Sequence, residues 1–326
     1  MRMAIERAIV RLLGVILFFA GGFATAQTFP SKPIRFVVAY VPGGTTDIFA
    51  RALGQKLSEQ MGQPMLVDNR PGGNGFIAAE FVMRAPADGY TLWIADTGHL
   101  AISPAVRGKI PYDPLKDFAP VTLMMKQDFV LVVTSSLPVR NIQELIELSK
   151  SRPGGLNYGS VGSGSVHHLG FERLKQLTGA KLVHIPYKGN AQMSAPLISG
   201  EVHATVGGFT AVNQMLKAGT IRAIGIAAAE RNVRFPDVPT LAESGVPGIE
   251  INIGVGLVAP AGTPGGIIHR LRDEIVRALK DPQLEKRNDA LGFEIVGNTP
   301  SEYAEKIRVD LQQYRKIALD AKVKVE

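Results

Sequence analysis

The chain has 326 residues, about twice an ordinary single domain, so two domains or one large α/β unit are expected. Its 45% apolar, 20% charged and 7% aromatic residues are the balance of a folded protein and exclude disorder as the main state. There is no cysteine, which excludes disulfides, thiolate nucleophiles, cysteine-based zinc sites and iron–sulfur clusters. The formal charge is +7, of which residues 1–26, with three arginines and Glu6, carry +2 and leave +5 for the remainder. That surplus is scattered, with no recognition helix, zinc-finger spacing or aromatic-interleaved basic stripe, so no nucleic-acid partner is expected.

Arg2, Arg7 and Arg11 precede an apolar run from Leu12 to Phe23 and then Ala24-Thr25-Ala26, a small-x-small cleavage pattern. This predicts a secretory signal peptide over residues 1–26, with a mature chain that begins at Gln27 and resides in the periplasm. The alternative, a membrane anchor, needs ~20 apolar residues, and this glycine-containing run is shorter.

In the mature chain short β-rich runs alternate with helical patterns, the mark of α/β layers around a largely parallel sheet. Ile34–Ala39 reads as a strand, Pro42–Thr46 as a loop, and Asp47–Met61 as a helix stopped by Gly62. A strand at 65–67, a glycine-rich loop at 69–75, a helix at 76–84 and a strand at 90–95 follow. Strands at 121–125 and 130–134 lead to a helix at 141–149 with Asn141 as its cap. The most distinctive unit is Leu156–Gly159, then Ser160-Val161-Gly162-Ser163-Gly164-Ser165, then a helix from Val166 to about Leu177. After it come strands at 182–185, 202–206 and 223–227 with a helix at 193–199. An extended apolar segment at 249–258 returns to the first domain, which closes with helices at 264–279 and 301–319 and a strand at 293–296. Crossings near 124–129 and 248–256 make a natural hinge.

Loops at the carboxyl ends of parallel strands, followed by helix amino termini, are where ligands bind in open α/β sheets. At Ser160–Ser165 two glycines free the backbone, three serines offer hydroxyls, and the following helix aims its unpaired N–H groups at the loop. A carboxylate there is held by neutral donors; a ligand-free serine cap is an equal alternative. Asp47 in a first helical turn is more often a structural cap than a site residue. Lys188 offers a counter-charge, and His168 either bonds its loop or touches ligand. Enzyme patterns are missing: no nucleophile elbow, phosphate-binding loop, dinucleotide fingerprint or His-Glu-x-x-His, and the adjacent His167 and His168 diverge too far for a metal. A hydrolytic pair of Ser165 or Ser163 with His168 remains as an alternative, with nothing in the sequence to orient it.

Eight segments in collinear order then carry a resemblance: Pro42-Gly43-Gly44-Thr45-Thr46-Asp47-Ile48-Phe49-Ala50-Arg51; Val67-Asp68-Asn69-Arg70-Pro71-Gly72; Asp88-Gly89-Tyr90-Thr91-Leu92; Pro111-Tyr112-Asp113-Pro114 with Lys116-Asp117-Phe118; Gly162–Leu169; His184–Gly189; Pro236–Thr240; and Ala259–Pro264. Together they resemble the Bug family, the periplasmic receptors of tripartite tricarboxylate transporters. The resemblance implies a two-domain α/β periplasmic-binding-protein fold, type II-like. Each domain is a mostly parallel sheet flanked by helices, with domain 1 from residues 27–126 and 251–326 and domain 2 from 127–250. It implies a protein that is not an enzyme and takes no cofactor or metal. Such a protein captures a small organic carboxylate between its domains and delivers it, as a monomer, to the membrane subunits of a transporter. A sensory receptor of the same fold is the alternative. The expected ligand-binding residues are Pro42, Gly43, Gly44, Thr45, Thr46 and Asp47, with Thr97 and His99 by the same analogy. From the second domain they are Ser160, Gly162, Ser163, Gly164, Ser165 and His168, with Tyr187 and Lys188. The family's usual Phe-Asp is replaced by Gly207-Gly208, which suggests room for a bulkier, aromatic acid.

Overall fold

The computed structural model of the chain describes residues 29–325, so the signal peptide expected at 1–26 lies outside the described residues. Contacts divide the chain between Ser31 and Lys32, and the following account concerns the body that begins at Lys32. In that body β1 (Ile34–Val38) feeds α1 (Thr45–Met61), and β2 (Met65–Asn69) feeds α2 (Phe76–Met83). Next, β3 (Thr91–Asp96) runs through a π-helical turn at Gly98–Ile102 into α3 (Ser103–Val106). Phe49, Leu53 and Leu57 bury one stripe of α1, and Gly62 ends that helix in the left-handed conformation at φ 67°.

The chain then crosses from β4 (Phe118–Asp128) to β5 (Val130–Thr134) and α4 (Ile142–Ser151), whose Asn141 side chain accepts from the Glu144 N–H as expected of a cap. Three further units follow: β6 (Leu156–Ser160) with α5 (Val166–Thr178), β7 (Leu182–Pro186) with α6 (Asn190–Ser199), and β8 (Ala204–Gly207) with α7 (Phe209–Lys217). After β9 (Ile221–Ile226), the return strand β10 (Asn252–Pro260) leads to α8 (Gly265–Leu279), α9 (Pro282–Ala290), β11 (Glu294–Ile295) and α10 (Pro300–Asp320).

Two sheets result, in the orders β11-β4-β10-β3-β1-β2 and β7-β6-β8-β5-β9. Both are mixed. β1 lies parallel to β2 and β3, and β6 parallel to β7 and β8, as βαβ connections require. The strands that carry the chain between the sheets instead pair antiparallel: β10 with β3 and β4, and β5 with β8 and β9. At the passage itself three segments are tied by backbone hydrogen bonds, Phe129 N to Ile251 O (3.0 Å), Ala227 N to Phe129 O (2.9 Å) and Ile251 N to Ala227 O (2.8 Å).

The apolar core follows the two sheets, with one addition. Tyr303 and Ile307, in the first half of α10, pack with Val37, Trp93 and Val258 of the first sheet. Leu311, Tyr314 and Ile317, in its second half, join Leu169, Phe171 and Leu174 of α5. One helix therefore spans both lobes.

Candidate functional site

The carboxyl ends of β1, β2, β3, β6, β7 and β8 converge on one cleft of about 820 Å³ between the sheets. Its first-lobe wall is Tyr40, Thr45, Thr46, the Gly72–Gly75 turn, Asp96, Gly98 and His99. From the second lobe come Val161–His167, Asn190 and Thr210, and the floor holds Gln127, Phe129, Ile253 and Val255 beside the crossing strands.

Several helix amino termini open on this space, those of α1 and α5 from opposite lobes among them. In α1 the cap is Gly44, without a side-chain cap, so Thr45 and Thr46 present first-turn N–H groups to the cleft. In α5 the cap is Ser165, whose Oγ accepts the His168 N–H at 3.3 Å, leaving Val166 and His167 at the cleft. A helix end carries roughly half a positive charge, so two ends that face one space favour an anion between them.

The loop that delivers Ser163 is held from behind. Gly162 N donates to Ser160 Oγ (3.1 Å), Ser165 N to Gly162 O (3.2 Å) and Gly164 N to His168 Nδ1 (3.0 Å). Ser160 Oγ also meets His184 Nε2 at 2.6 Å, and the His168 and His184 rings stack at 3.8 Å, 9° from coplanar. Gly164 takes φ 74°, and a Cβ there would come within 2.5 Å of the Val325 side chain, so only glycine fits.

In the first lobe the Asp96 carboxylate accepts from the hydroxyl of Tyr40 and from the His99 backbone N–H (3.1 Å), with His99 Nδ1 2.9 Å away. Burial alone would raise its pKa, yet the His99 ring and these hydrogen bonds hold it below the usual carboxylate range. It therefore stays ionised, with its charge engaged inside the wall. Gly75, at φ 88°, leaves the space that the His99 ring fills.

Of the expected binding residues, Thr45, Thr46, His99, Gly162, Ser163, Gly164 and Ser165 line the cleft. The others stand elsewhere. Pro42, Gly43 and Gly44 form the lip, and Asp47 turns inward to accept from Gly43 N (2.9 Å), Asn69 Nδ2 (2.9 Å) and Arg51. Thr97 points to the return strand, where its Oγ1 accepts from Gly254 N at 2.9 Å. Ser160 is wholly buried, and His168 is committed to Gly164 and its stack. Tyr187 packs with the cluster around Val130 and Ile226, while Lys188 is exposed with its backbone N–H on Gln192.

The hydrolase alternative finds no geometry at Ser165, whose hydroxyl meets the backbone, not the imidazole, of His168, and the His168 Nδ1 is already taken by Gly164 N. The room expected at Gly207-Gly208 is also taken, because the Gln127 side chain occupies the position of a Gly208 Cβ. The glycine-rich loop at 69–75, whose Gly72–Gly75 stretch lines the cleft, has its turn chemistry as the one signal in the sequence. Arg107, Phe129, Ile253 and Val325 carried no local signal, since they reach the cleft only through tertiary packing. Among the described residues no group of acidic and histidine side chains could hold a metal, and no helix is long and apolar enough to cross a membrane.

His167 diverges too far from the adjacent His168 to share a metal with it. It lines the cleft, is 5% exposed, and packs its ring 5.1 Å from Phe129. Neither ring nitrogen has a hydrogen-bond partner among the described residues.

Residues 49–321 match the family described as tripartite tricarboxylate transporter family receptor. Protein BugT of Bordetella pertussis is 32% identical over 321 residues, 98% of each chain. Among solved structures, R. palustris Rpa4515 with adipate is 36% identical, with a TM-score of 0.75 over 91% of this chain and 99% of that one. MatC of Rhodopseudomonas palustris with bound malate is 29% identical, with a TM-score of 0.71 over 89% of this chain and 99% of that one. With the two-lobed α/β body and cleft already described, these matches place the chain in the tripartite tricarboxylate transporter receptor family of periplasmic solute-binding proteins, which are not enzymes.

Proposed function

We propose that this receptor captures a small organic carboxylate in the interlobe cleft and delivers it to the membrane subunits of a tripartite transporter, as an exported monomer that works in the periplasm. The observation that carries the reading is the pair of helix ends, α1 and α5, aimed from opposite lobes into one space. A dicarboxylate suits this arrangement, one carboxylate per helix end, and the ligands named with Rpa4515 and MatC, adipate and malate, are dicarboxylates. A ligand that touches both lobes favours the closed form by its differential affinity, and that form is what a membrane partner would recognise.

The test is a thermal-shift screen of residues 27–326 against mono-, di-, tri- and aromatic carboxylates. A true ligand at ~100 times its dissociation constant adds about 2.7 kcal/mol of stability. A screen in which no acid raises the melting temperature would refute the reading. Co-purification with the membrane subunits only when ligand is present tests delivery.

A further inference from the structure

Along one edge the cleft is shut by a contact between the lobes, where Leu291 and Phe293 line it from the first lobe and Thr210 from the second. The lobes meet there because two residues lack side chains. A Cβ on Gly292, which takes φ 78°, would come within 2.5 Å of the Phe209 Cβ, and one on Gly208 would fall on the Gln127 side chain. Behind this edge the loop after β9, packed on the second lobe through Phe235, reaches across to α9 and β11. Arg234 donates through Nη2 to the backbone oxygen of Asp289 (3.2 Å) and to its carboxylate, with the guanidinium carbon 5.6 Å from the centre of the Phe209 ring. Asn232, whose Oδ1 accepts the Arg234 N–H at 3.0 Å, donates to Glu294 Oε1 at 3.3 Å.

The Arg234 side chain is 11% exposed, and the carboxylate that answers its charge stands on the other lobe. Its Nη1 is buried with no partner among the described residues, so its compensation rests on Asp289 and the Phe209 ring. A buried charge is costly without its counter-ion, so this packing suits only the arrangement in which the lobes meet. When they part, water solvates both charges, and the contact can be made and broken reversibly. We propose that Arg234 and Asp289 form a latch of the closed form, positioning residues that set ligand affinity without touching the ligand by fixing how much of the protein is closed. This rests on the carboxylate reading above. Apparent affinity scales with the fraction of the binding-competent form, so a latch acts on every acid by one factor.

Titration calorimetry of residues 27–326 with succinate, malate, glutarate and adipate tests it. Asp289 is 71% exposed, so Asp289→Ala keeps the fold. It should weaken each acid that the wild type binds by the same factor, about tenfold. Arg234→Ala should act alike, and the double variant should bind no more weakly than the weaker single one, because the same contact is removed in all three. Asp289→Glu, which keeps the charge, should recover most of the affinity. Unchanged affinities in both single variants would overturn the latch and leave the carboxylate reading intact, and a lowered ligand-free melting temperature beside them would mark a purely structural pair. Additive losses in the double variant would overturn it too, as would factors that differ from acid to acid, which mark direct contact with the ligand. Failure of the wild type to bind any acid of the set would overturn both readings.

Discussion

Asp47 shows how a side chain in a recognisable segment can serve the site without touching it. Its carboxylate is 2% exposed and joins Gly43 at the lip, Asn69 at the end of β2 and Arg51 one turn along α1. Burial would raise its pKa, but the bonds from Arg51, Gly43 and Asn69 outweigh that and lower it. Asn69 donates as well to Tyr40 O at 3.1 Å, so three separate segments meet on two side chains. This explains why Asp47, Arg51 and Asn69 all fall within the segments that resemble the family. Asp47→Asn should cost about 2 kcal/mol, the worth of a hydrogen bond to a charged group. It should also weaken ligand binding through the displaced lip. Urea denaturation and calorimetry check both effects, and an unchanged affinity would show that the lip needs no anchor.

At the scale of an element, the amino terminus of α5 depends on two neutral imidazoles. His168 accepts from Gly164 N, and His184, stacked on it and flanked by Tyr158 at 5.1 Å, bonds Ser160. Burial lowers both pKa values, that of His184 to about 4, with the neighbouring His168 adding to the fall; Glu172 opposes it and Lys175 adds to it. His167 is lowered by burial to about 4. An unfolded histidine takes up its proton near pH 6.5, so below that pH the unfolded chain binds more protons than the native one. Stability should therefore fall as pH drops from about 6.5 towards 4, by on the order of 3 kcal/mol at most for each strongly shifted group. Asp128 and Asp310, raised by burial, act in the opposite sense as they gain protons. His167→Leu isolates the histidine part: its urea midpoint should lose less between about pH 7 and about pH 4.5 than that of the wild type. Equal losses would remove His167 from the effect.

Across the whole molecule, α10 is a strut as well as a cover. Its second half lies on α5, where Gln176 Nε2 donates to Ile317 O at 3.2 Å, so any change in the lobe angle must be accommodated along that contact. Ile317→Ala should cost about 2–5 kcal/mol as a buried large-to-small change. It should also shift ligand affinity although Ile317 is absent from the cleft lining, and an unaltered affinity would mean that the lobes do not pivot there. The sequence made the βαβ units legible because alternating apolar runs, Gly62 and Asn141 state their own boundaries. It did not reveal α7, or α9, where only Leu284 and Asn288 are buried and no apolar stripe exists. Nor could it show that β5 and β10 run antiparallel to their neighbours, since an apolar run has no direction until its partner is known. The same limit applies to the cleft. Local turn chemistry marked Thr45, Ser163 and Ser165, whereas the floor at Phe129 and Ile253 exists only once two distant crossings are tied together.

Trp93, the single tryptophan of the chain, is wholly buried with its ring 5.3 Å from that of His99, a residue of the cleft wall. All indole emission from the protein thus originates one residue behind the first-lobe wall. Occupancy can accordingly be followed in unlabelled material, and a silent spectrum during a calorimetrically proven titration would locate the guest away from the His99 side.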